Sequence, residues 1–177
     1  MLAKLGKFMR IIGLDTKIVD NSITDELVIQ QAVETNRVLV TMDKLLYKRM
    51  KKKELKTIFI DTDILEAQLI QVINSENIAF LIEDIDNPIS YDSRCSHCNS
   101  LLKTIAKKEV KGEVPETTYT SFEDFWSCQN ETCGKIYWRG SHWRGIRETI
   151  TSINNSLVKI ARLKALKSKE IQSNGIP

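Results

Sequence analysis

Cys95-Ser-His-Cys98 and Cys128-Gln-Asn-Glu-Thr-Cys133 contain all four cysteines of this 177-residue chain. Each short pair can present two sulfurs from one turn, and a loop joins the two pairs. This arrangement is typical of zinc held tetrahedrally by four thiolates, whereas two disulfides are the alternative. We find no signal peptide in the N-terminal sequence, which begins Met-Leu-Ala-Lys. We therefore expect a reducing, cytoplasmic location, which favours structural zinc over disulfides. Four cysteines already fill a closed site, although His97 or His142 could replace one thiolate.

Charge is distributed unevenly along the chain. The formal net charge is +3, but residues 1–92 hold 12 Lys and Arg against 15 Asp and Glu, whereas residues 93–177 hold 14 against 8. An acidic half followed by a basic half fits a metal-binding or catalytic module joined to a nucleic-acid-binding segment; ordinary solubility charge is the alternative. No apolar run approaches the ~20 residues of a membrane span. We therefore expect no membrane association, and we expect no small-molecule cofactor.

The first half of the sequence alternates between helical and extended patterns. Helical spacing of apolar residues, with Gly13 as a stop and Thr24 as an N-cap, predicts four helices, at residues 2–12, 24–35, 44–53 and 63–73. Short β-branched runs predict three strands, at residues 16–19, 37–41 and 56–60. Residues 78–82 fit either the end of this helical layer or a fourth strand. The alternation predicts an α/β fold with a parallel sheet.

Aspartates follow the predicted strands. Asp20, Asp43 and Asp61 lie just past strand ends, and Asp25 begins the next helix. Ligand sites of parallel sheets lie at this carboxyl edge, and gathered carboxylates are what Mg²⁺ or Mn²⁺ prefers. A metal pair held there can activate water to hydrolyse a phosphodiester. Taken singly, each aspartate is also explained as an ordinary turn or N-cap residue.

Three blocks of the sequence, taken in order, resemble one protein family. They are Leu2 to Asp15; Thr24-Asp25 with Arg37-Val-Leu-Val-Thr-Met-Asp43; and the cysteine pairs with Gly134-Lys-Ile-Tyr-Trp138 and Gly140-Ser-His-Trp143. Over about residues 1–147 they resemble the Mut-seven C-terminal ribonuclease family, a branch of the PIN-like nucleases whose members carry a zinc ribbon. The resemblance implies metal-dependent RNA cleavage, with Asp25 and Asp43 matching the acidic positions of the family. It also implies a PIN-like domain over residues 1–90 and a zinc ribbon over residues 91–147.

Two features depart from the pattern of that family. Its members begin with a central strand that ends in aspartate, ahead of the helix that starts here at Met1. Without that strand a metal ligand is lost and the inner strands lack a partner. Three explanations stay open: the start is misassigned, the strands at 16–19 and 37–41 pair directly, or another segment or partner fills the gap. The second cysteine pair also has four intervening residues where two are expected, a spacing that zinc tolerates.

Basic and aromatic residues supply candidate RNA contacts. The best candidates after the second cysteine pair are Arg139, His142, Trp143, Arg144 and Arg147, because interleaved arginines and aromatics suit phosphates and bases. Lys48 and Arg49 are further candidates, with a solvated helix face as the alternative. The alternative for Tyr137, Trp138 and Trp143 is packing within the ribbon. Residues 148–177 predict a basic amphipathic helical tail.

These observations favour an RNA-binding protein that acts on or within a ribonucleoprotein such as the ribosome. The alternative is an active metal-dependent endoribonuclease that cleaves single-stranded RNA. The missing first aspartate favours binding, whereas the retained Thr-x-Asp of Thr41 to Asp43 favours catalysis.

Overall fold

The computed structural model describes residues 2–20, 22–76 and 78–173 of the chain. Its helices are α1 (Ala3–Ile11), α2 (Asp25–Glu34), α3 (Lys44–Lys52), α4 (Leu65–Ser75), α5 (Glu116–Ser121) and α6 (Ser141–Ser173). Its strands are β1 (Leu39–Thr41), β2 (Thr57–Phe59), β3 (Leu102–Ile105), β4 (Phe125–Cys128) and β5 (Ile136–Trp138). Short 3₁₀ turns span Pro88–Tyr91 and Lys107–Val110.

The first half is the predicted α/β arrangement with a small parallel sheet. β1 and β2 pair in parallel, with Val40 opposite Ile58. The four predicted helices are present, and each boundary lies within two residues of its prediction. Gly13 lies just after α1. Its φ of +92° suits glycine, and a Cβ added there would lie 2.3 Å from the Tyr91 carbonyl oxygen.

The predicted strand at residues 16–19 is wrong. Residues 14–20 have irregular backbone, because the polar groups of Thr16 bind other parts of the chain. Its N–H donates to the Asn99 side chain at 3.0 Å, and its carbonyl accepts from Arg10 Nε at 2.8 Å. These bonds replace a strand ladder. Direct pairing of this segment with residues 37–41 is therefore not formed.

Residues 78–82 are neither the end of the helical layer nor a fourth strand. The segment runs irregularly along α6. Asn154 of α6 donates its side-chain amide to the Ile82 carbonyl at 2.8 Å, and its side-chain oxygen accepts from the Ile82 N–H at 3.4 Å. A side chain thus satisfies backbone groups that a neighbouring strand would otherwise pair.

The second half contains a three-stranded antiparallel sheet of order β3-β4-β5. β4 is central and fully buried, whereas β5 is an edge strand that pairs with β4. One face of β4 packs Trp126 and Cys128 with the other cysteines, and the opposite face packs Phe125 with Val110 and Val114. The sheet therefore separates a cysteine-lined side from an apolar side.

α6 begins inside the region predicted as ribbon. It runs from Ser141 to Ser173 and includes the candidate residues at 142–147 in its first two turns. Ile150 and Ile153 are fully buried among residues of α1, β2 and α4. The first half of α6 is thus part of the α/β core. Residues 174–177 of the predicted basic tail lie outside the described residues. Among the described residues, no helix is both long and apolar enough to span a membrane.

Candidate metal centre and nucleic-acid interface

The four cysteines converge on one point between β3, β4 and β5. Their Sγ atoms all lie within 4.8 Å of one another, with 3.7 Å between those of Cys95 and Cys133 and 3.3 Å between those of Cys98 and Cys128. A tetrahedral zinc with bonds of about 2.3 Å would place its sulfurs about 3.8 Å apart. All four are free thiols, not disulfides. The donor set therefore fits a metal such as zinc.

Two tight turns aim these sulfurs. Cys95 N–H donates to the Ser100 carbonyl at 2.8 Å, and Cys98 N–H points back at the Cys95 sulfur at 3.4 Å. Left-handed residues close each turn: Asn99 at φ +75° and Gly134 at φ +56°. We call residues 95–99 the first knuckle.

The thiols differ in their acid–base environment. Burial raises the pKa of Cys98, but hydrogen bonds from Ser100 and from neighbouring cysteines outweigh burial and lower its pKa to about 6. Burial raises the pKa of Cys128 to about 12. Because a metal binds thiolates, metal loading at this cluster would release protons.

A buried arginine anchors the first knuckle to α1. Arg10 is only 6% exposed. Besides its bond to Thr16, its Nη1 donates to the carbonyls of Ser96 at 3.0 Å and His97 at 2.8 Å. Burial lowers the pKa of Arg10, and the nearby sulfurs of Cys95 and Cys98 oppose that shift. The guanidinium therefore places a positive charge beside a cluster that would carry net negative charge as four thiolates with zinc.

A second polar network extends this anchor toward β1. Asn99 donates to Asp15 Oδ1 at 2.6 Å, and Arg37 donates to Asp15 Oδ2 at 2.7 Å. Hydrogen bonds from Arg37 and Asn99 lower the pKa of Asp15. Arg94 adds a bond to the Gly13 carbonyl at 3.2 Å. The first knuckle is thus linked to α1, the 13–16 loop and the residue that leads into β1.

The predicted acidic residues each have a local partner. Asp20 accepts from the Ser22 N–H at 2.8 Å, and Asp61 accepts from the Gln71 side chain. Asp43 caps α3, accepting from the N–H groups of Leu45 at 2.6 Å and Leu46 at 3.0 Å. Among the described residues, the only group of three or more potential metal ligands that comes together is the four cysteines. The predicted Mg²⁺ or Mn²⁺ site stays a prediction.

Arg49 lies beside two neighbouring carboxylates, those of Asp25 and Glu26. It donates to Asp25 Oδ2 at 3.1 Å and to Glu26 Oε1 at 2.7 Å. The hydrogen bond to Glu26 is the main cause that raises the pKa of Arg49, and the charges of Asp25 and Asp43 add to it. Asp25 and Asp43 therefore share one neighbourhood, which the Arg49 guanidinium already partly neutralises.

The candidate RNA-binding residues differ in how they are engaged. Arg139 is paired with Asp124, and Arg147 pairs with Asp86 at 3.2 Å. Trp143 is half-buried and donates its indole N–H to Asp86 at 2.9 Å. Within the described part of the chain, three candidates are exposed or half-buried without a side-chain hydrogen bond or ion pair: Lys48, His142 and Arg144. Trp138 packs with the apolar side of the ribbon sheet.

A comparison with known protein families matches residues 1–150 of the chain to the family described as the Mut7-C RNAse domain. The chain belongs to the Mut7-C RNase domain family. No curated protein and no solved structure matches the chain. The match confirms the family resemblance seen in the sequence and indicates a ribonuclease-related, RNA-associated role.

The Mut7-C match covers both the α/β half and the cysteine half. The sequence patterns did not reveal Arg10 as the residue that joins these two halves. Arg10 lies in the first matched block, but there it looks like one more basic residue beside Lys4 and Lys7. A buried arginine needs partners, and those of Arg10 include carbonyls more than 80 residues away. No spacing rule within α1 reveals that contact.

Proposed function

We propose that this Mut7-C protein binds single-stranded RNA, on or within a ribonucleoprotein such as the ribosome. The observation that carries the proposal is the family match over residues 1–150. The net charge of +6 over residues 93–177, obtained from 14 basic and 8 acidic residues, supports it because phosphate contacts dominate nucleic-acid affinity.

In this proposal α6 presents part of the RNA-binding surface. Arg144 and Arg147 lie within one turn of each other on α6. Arg147 is paired with Asp86, but Arg144 is exposed without an ion pair among the described residues. His142 and Lys48 are candidates of the same kind. Arg49 and Arg139, which are paired with acids, must release those partners before they contact a phosphate.

The test is fluorescence anisotropy with a labelled single-stranded RNA 12-mer and the zinc-loaded chain, at several salt concentrations. Counterion release predicts that log Kd rises with log salt, with a slope of about 0.7 for each phosphate contact. Arg144→Gln should lower that slope by about 0.7, and Arg147→Gln should lower it less because the charge of Arg147 is already offset by Asp86. Absence of binding at low salt would refute the proposal.

The second candidate is a metal-dependent endoribonuclease, favoured by the shared neighbourhood of Asp25 and Asp43 around Arg49. In this proposal Asp25 and Asp43, with Asp20 or Asp61, hold Mg²⁺ or Mn²⁺. The described carboxylates do not form a ligand group of three, so we derive no step through a metal. Mn²⁺-dependent cleavage of the 12-mer that disappears in Asp43→Asn while binding is retained would support this candidate. Cleavage unchanged in that variant would refute it.

A further inference from the structure

A polar cleft lies where α1 meets the cysteine half of the molecule. Its volume is about 410 Å³, and it is open to solvent. Its lining residues come from both halves of the chain. Four parts of the chain form its walls: Lys7 of α1, residues 96–97 of the first knuckle, the loop at 113–115, and the segment from Gly134 through β5.

The cleft runs along an open strand edge. Its lining includes five consecutive residues, 134–138, and β5 pairs through its other edge with β4. In an antiparallel pair, alternate residues direct their N–H and C=O groups away from the partner strand. β5 therefore offers the cleft backbone donors and acceptors, with Tyr137 on the cysteine side of the sheet and Trp138 on its apolar side.

The charge of the cleft favours an anion. Lys7 and Lys135 are exposed, and Glu113 is the only carboxylate among the described lining residues. Two exposed lysines in one cleft with aromatic lining residues resemble the basic, aromatic grooves in which single-strand binding proteins hold the phosphate backbone and the bases.

The Arg10 anchor determines the position of Lys7. Residues three apart on a helix lie on the same face, so Lys7 projects one turn before Arg10. Arg10 is bonded to Ser96 and His97, which also line the cleft. The backbone of Lys7 is therefore held near the first knuckle by part-buried hydrogen bonds, which pre-organise this wall of the cleft and reduce the entropic cost of binding.

We propose that this cleft holds one nucleotide of single-stranded RNA, with Lys7 and Lys135 at its phosphates and the base against the edge of β5. The inference rests on the proposed function and specifies a binding site for it. An extended peptide fits less well, because β5 has only three residues and walls from 96–97 and 113–115 limit the edge that a strand could add to.

The affinity test uses the zinc-loaded full chain, the same labelled RNA 12-mer and the variants Lys7→Gln and Lys135→Gln. The matched controls are Lys4→Gln, an exposed lysine one turn earlier on α1, and Lys103→Gln, an exposed lysine of β3; neither lines the cleft. Loss of one phosphate contact should weaken binding at 0.1 M salt by about fivefold and lower the salt slope by about 0.7. Unchanged zinc content and melting temperature would show that the variants remain folded.

A crosslinking measurement locates the base. The RNA carries 4-thiouridine, and the adduct is mapped by mass spectrometry after irradiation. We expect adducts within residues 134–138. Adducts confined to residues 142–147, or cleft variants that bind as tightly as Lys4→Gln and Lys103→Gln, would overturn this site while leaving RNA binding intact. Cleft lysines needed for an acidic decapeptide but not for RNA would also overturn it. No RNA binding by the unmodified chain would overturn both proposals.

Discussion

Replacing Arg10 with Met tests whether the first knuckle and α1 are held together by one buried guanidinium. The substitution keeps an unbranched apolar side chain of similar length but removes three hydrogen bonds, to the carbonyls of Thr16, Ser96 and His97. Because Arg10 is 6% exposed, water has little access to these carbonyls after the substitution. They would lose their charged donor without an equivalent replacement.

The expected loss can be estimated from those contacts. A hydrogen bond to a charged group contributes about 1.5–3 kcal/mol to stability. The three bonds share one side chain and are not additive, and the substitution leaves neutral carbonyls without a donor, so the total loss should be about 3 kcal/mol, the upper end of that range. Since small domains are stable by only about 5–15 kcal/mol, the variant should lose a substantial part of its free energy of unfolding.

The assay is urea unfolding of the zinc-loaded chain, followed by circular dichroism at 222 nm and by tryptophan fluorescence. The matched control is Arg37→Gln, which removes an exposed ion pair with Asp15 and should cost about 0–1 kcal/mol. Arg10→Met should also release zinc to a chelator faster, because Ser96 and His97 lie between the ligands Cys95 and Cys98. A loss below about 1 kcal/mol, equal to that of the control, would refute the anchoring role.

Three other predictions concern the metal, a helix cap and acid stability. The reduced chain should contain about one zinc, as measured by elemental analysis. Cys95→Ser should lose the zinc and unfold the cysteine half, as measured by circular dichroism. A folded, reduced sample without zinc would contradict this prediction. Asp43→Ala should lower the free energy of unfolding in urea by about 1 kcal/mol because α3 loses its N-cap. Asp43→Asn should be nearly neutral because Asn also caps helices. Equal losses in the two variants would argue against the capping role. The folded-state pKa of Asp15 is depressed below 3.8, mainly by its hydrogen bond with Arg37. The contribution of Asp15 to folding stability is therefore fully present above pH 3.8 and is lost as pH falls through the folded-state pKa. Urea midpoints should therefore fall more in the wild type than in Asp15→Asn below pH 3.8, and parallel curves would contradict the linkage.

The helices of the first half were predictable because their signals are local. Thr24 and Asp43 occupy N-cap positions, and both side chains accept from N–H groups of the first turn. The strands at 37–41 and 56–60 were predicted as somewhat longer than β1 and β2. Residues 16–19 and 78–82 have the same β-branched, apolar composition. They form no strand because the side chains of Arg10, Asn99 and Asn154 bind their backbone groups, and the two asparagines are more than 70 residues away in sequence.

The candidate site also combines features that the sequence predicted with features that only the structure revealed. The cysteine spacing predicted a metal centre, and the four sulfurs do converge. Asp25, Asp43 and Asp61 lie near strand and helix ends as predicted, whereas Asp20 follows no strand. Spacing could not show that Arg49 occupies the space beside Asp25. The assignments of catalytic and RNA-binding residues stay predictions.

By itself, the sequence determined the α/β class, the four-cysteine cluster and membership of the Mut7-C RNase domain family, because short-range spacing and an ordered set of motifs encode these properties. Only the tertiary structure decided that Arg10 is buried against the first knuckle and that Lys7 shares a cleft with the edge of β5. Those contacts join residues about 90 to 130 positions apart. They depend on how the packed helices and strands satisfy one another's backbone groups, a condition that no single segment specifies.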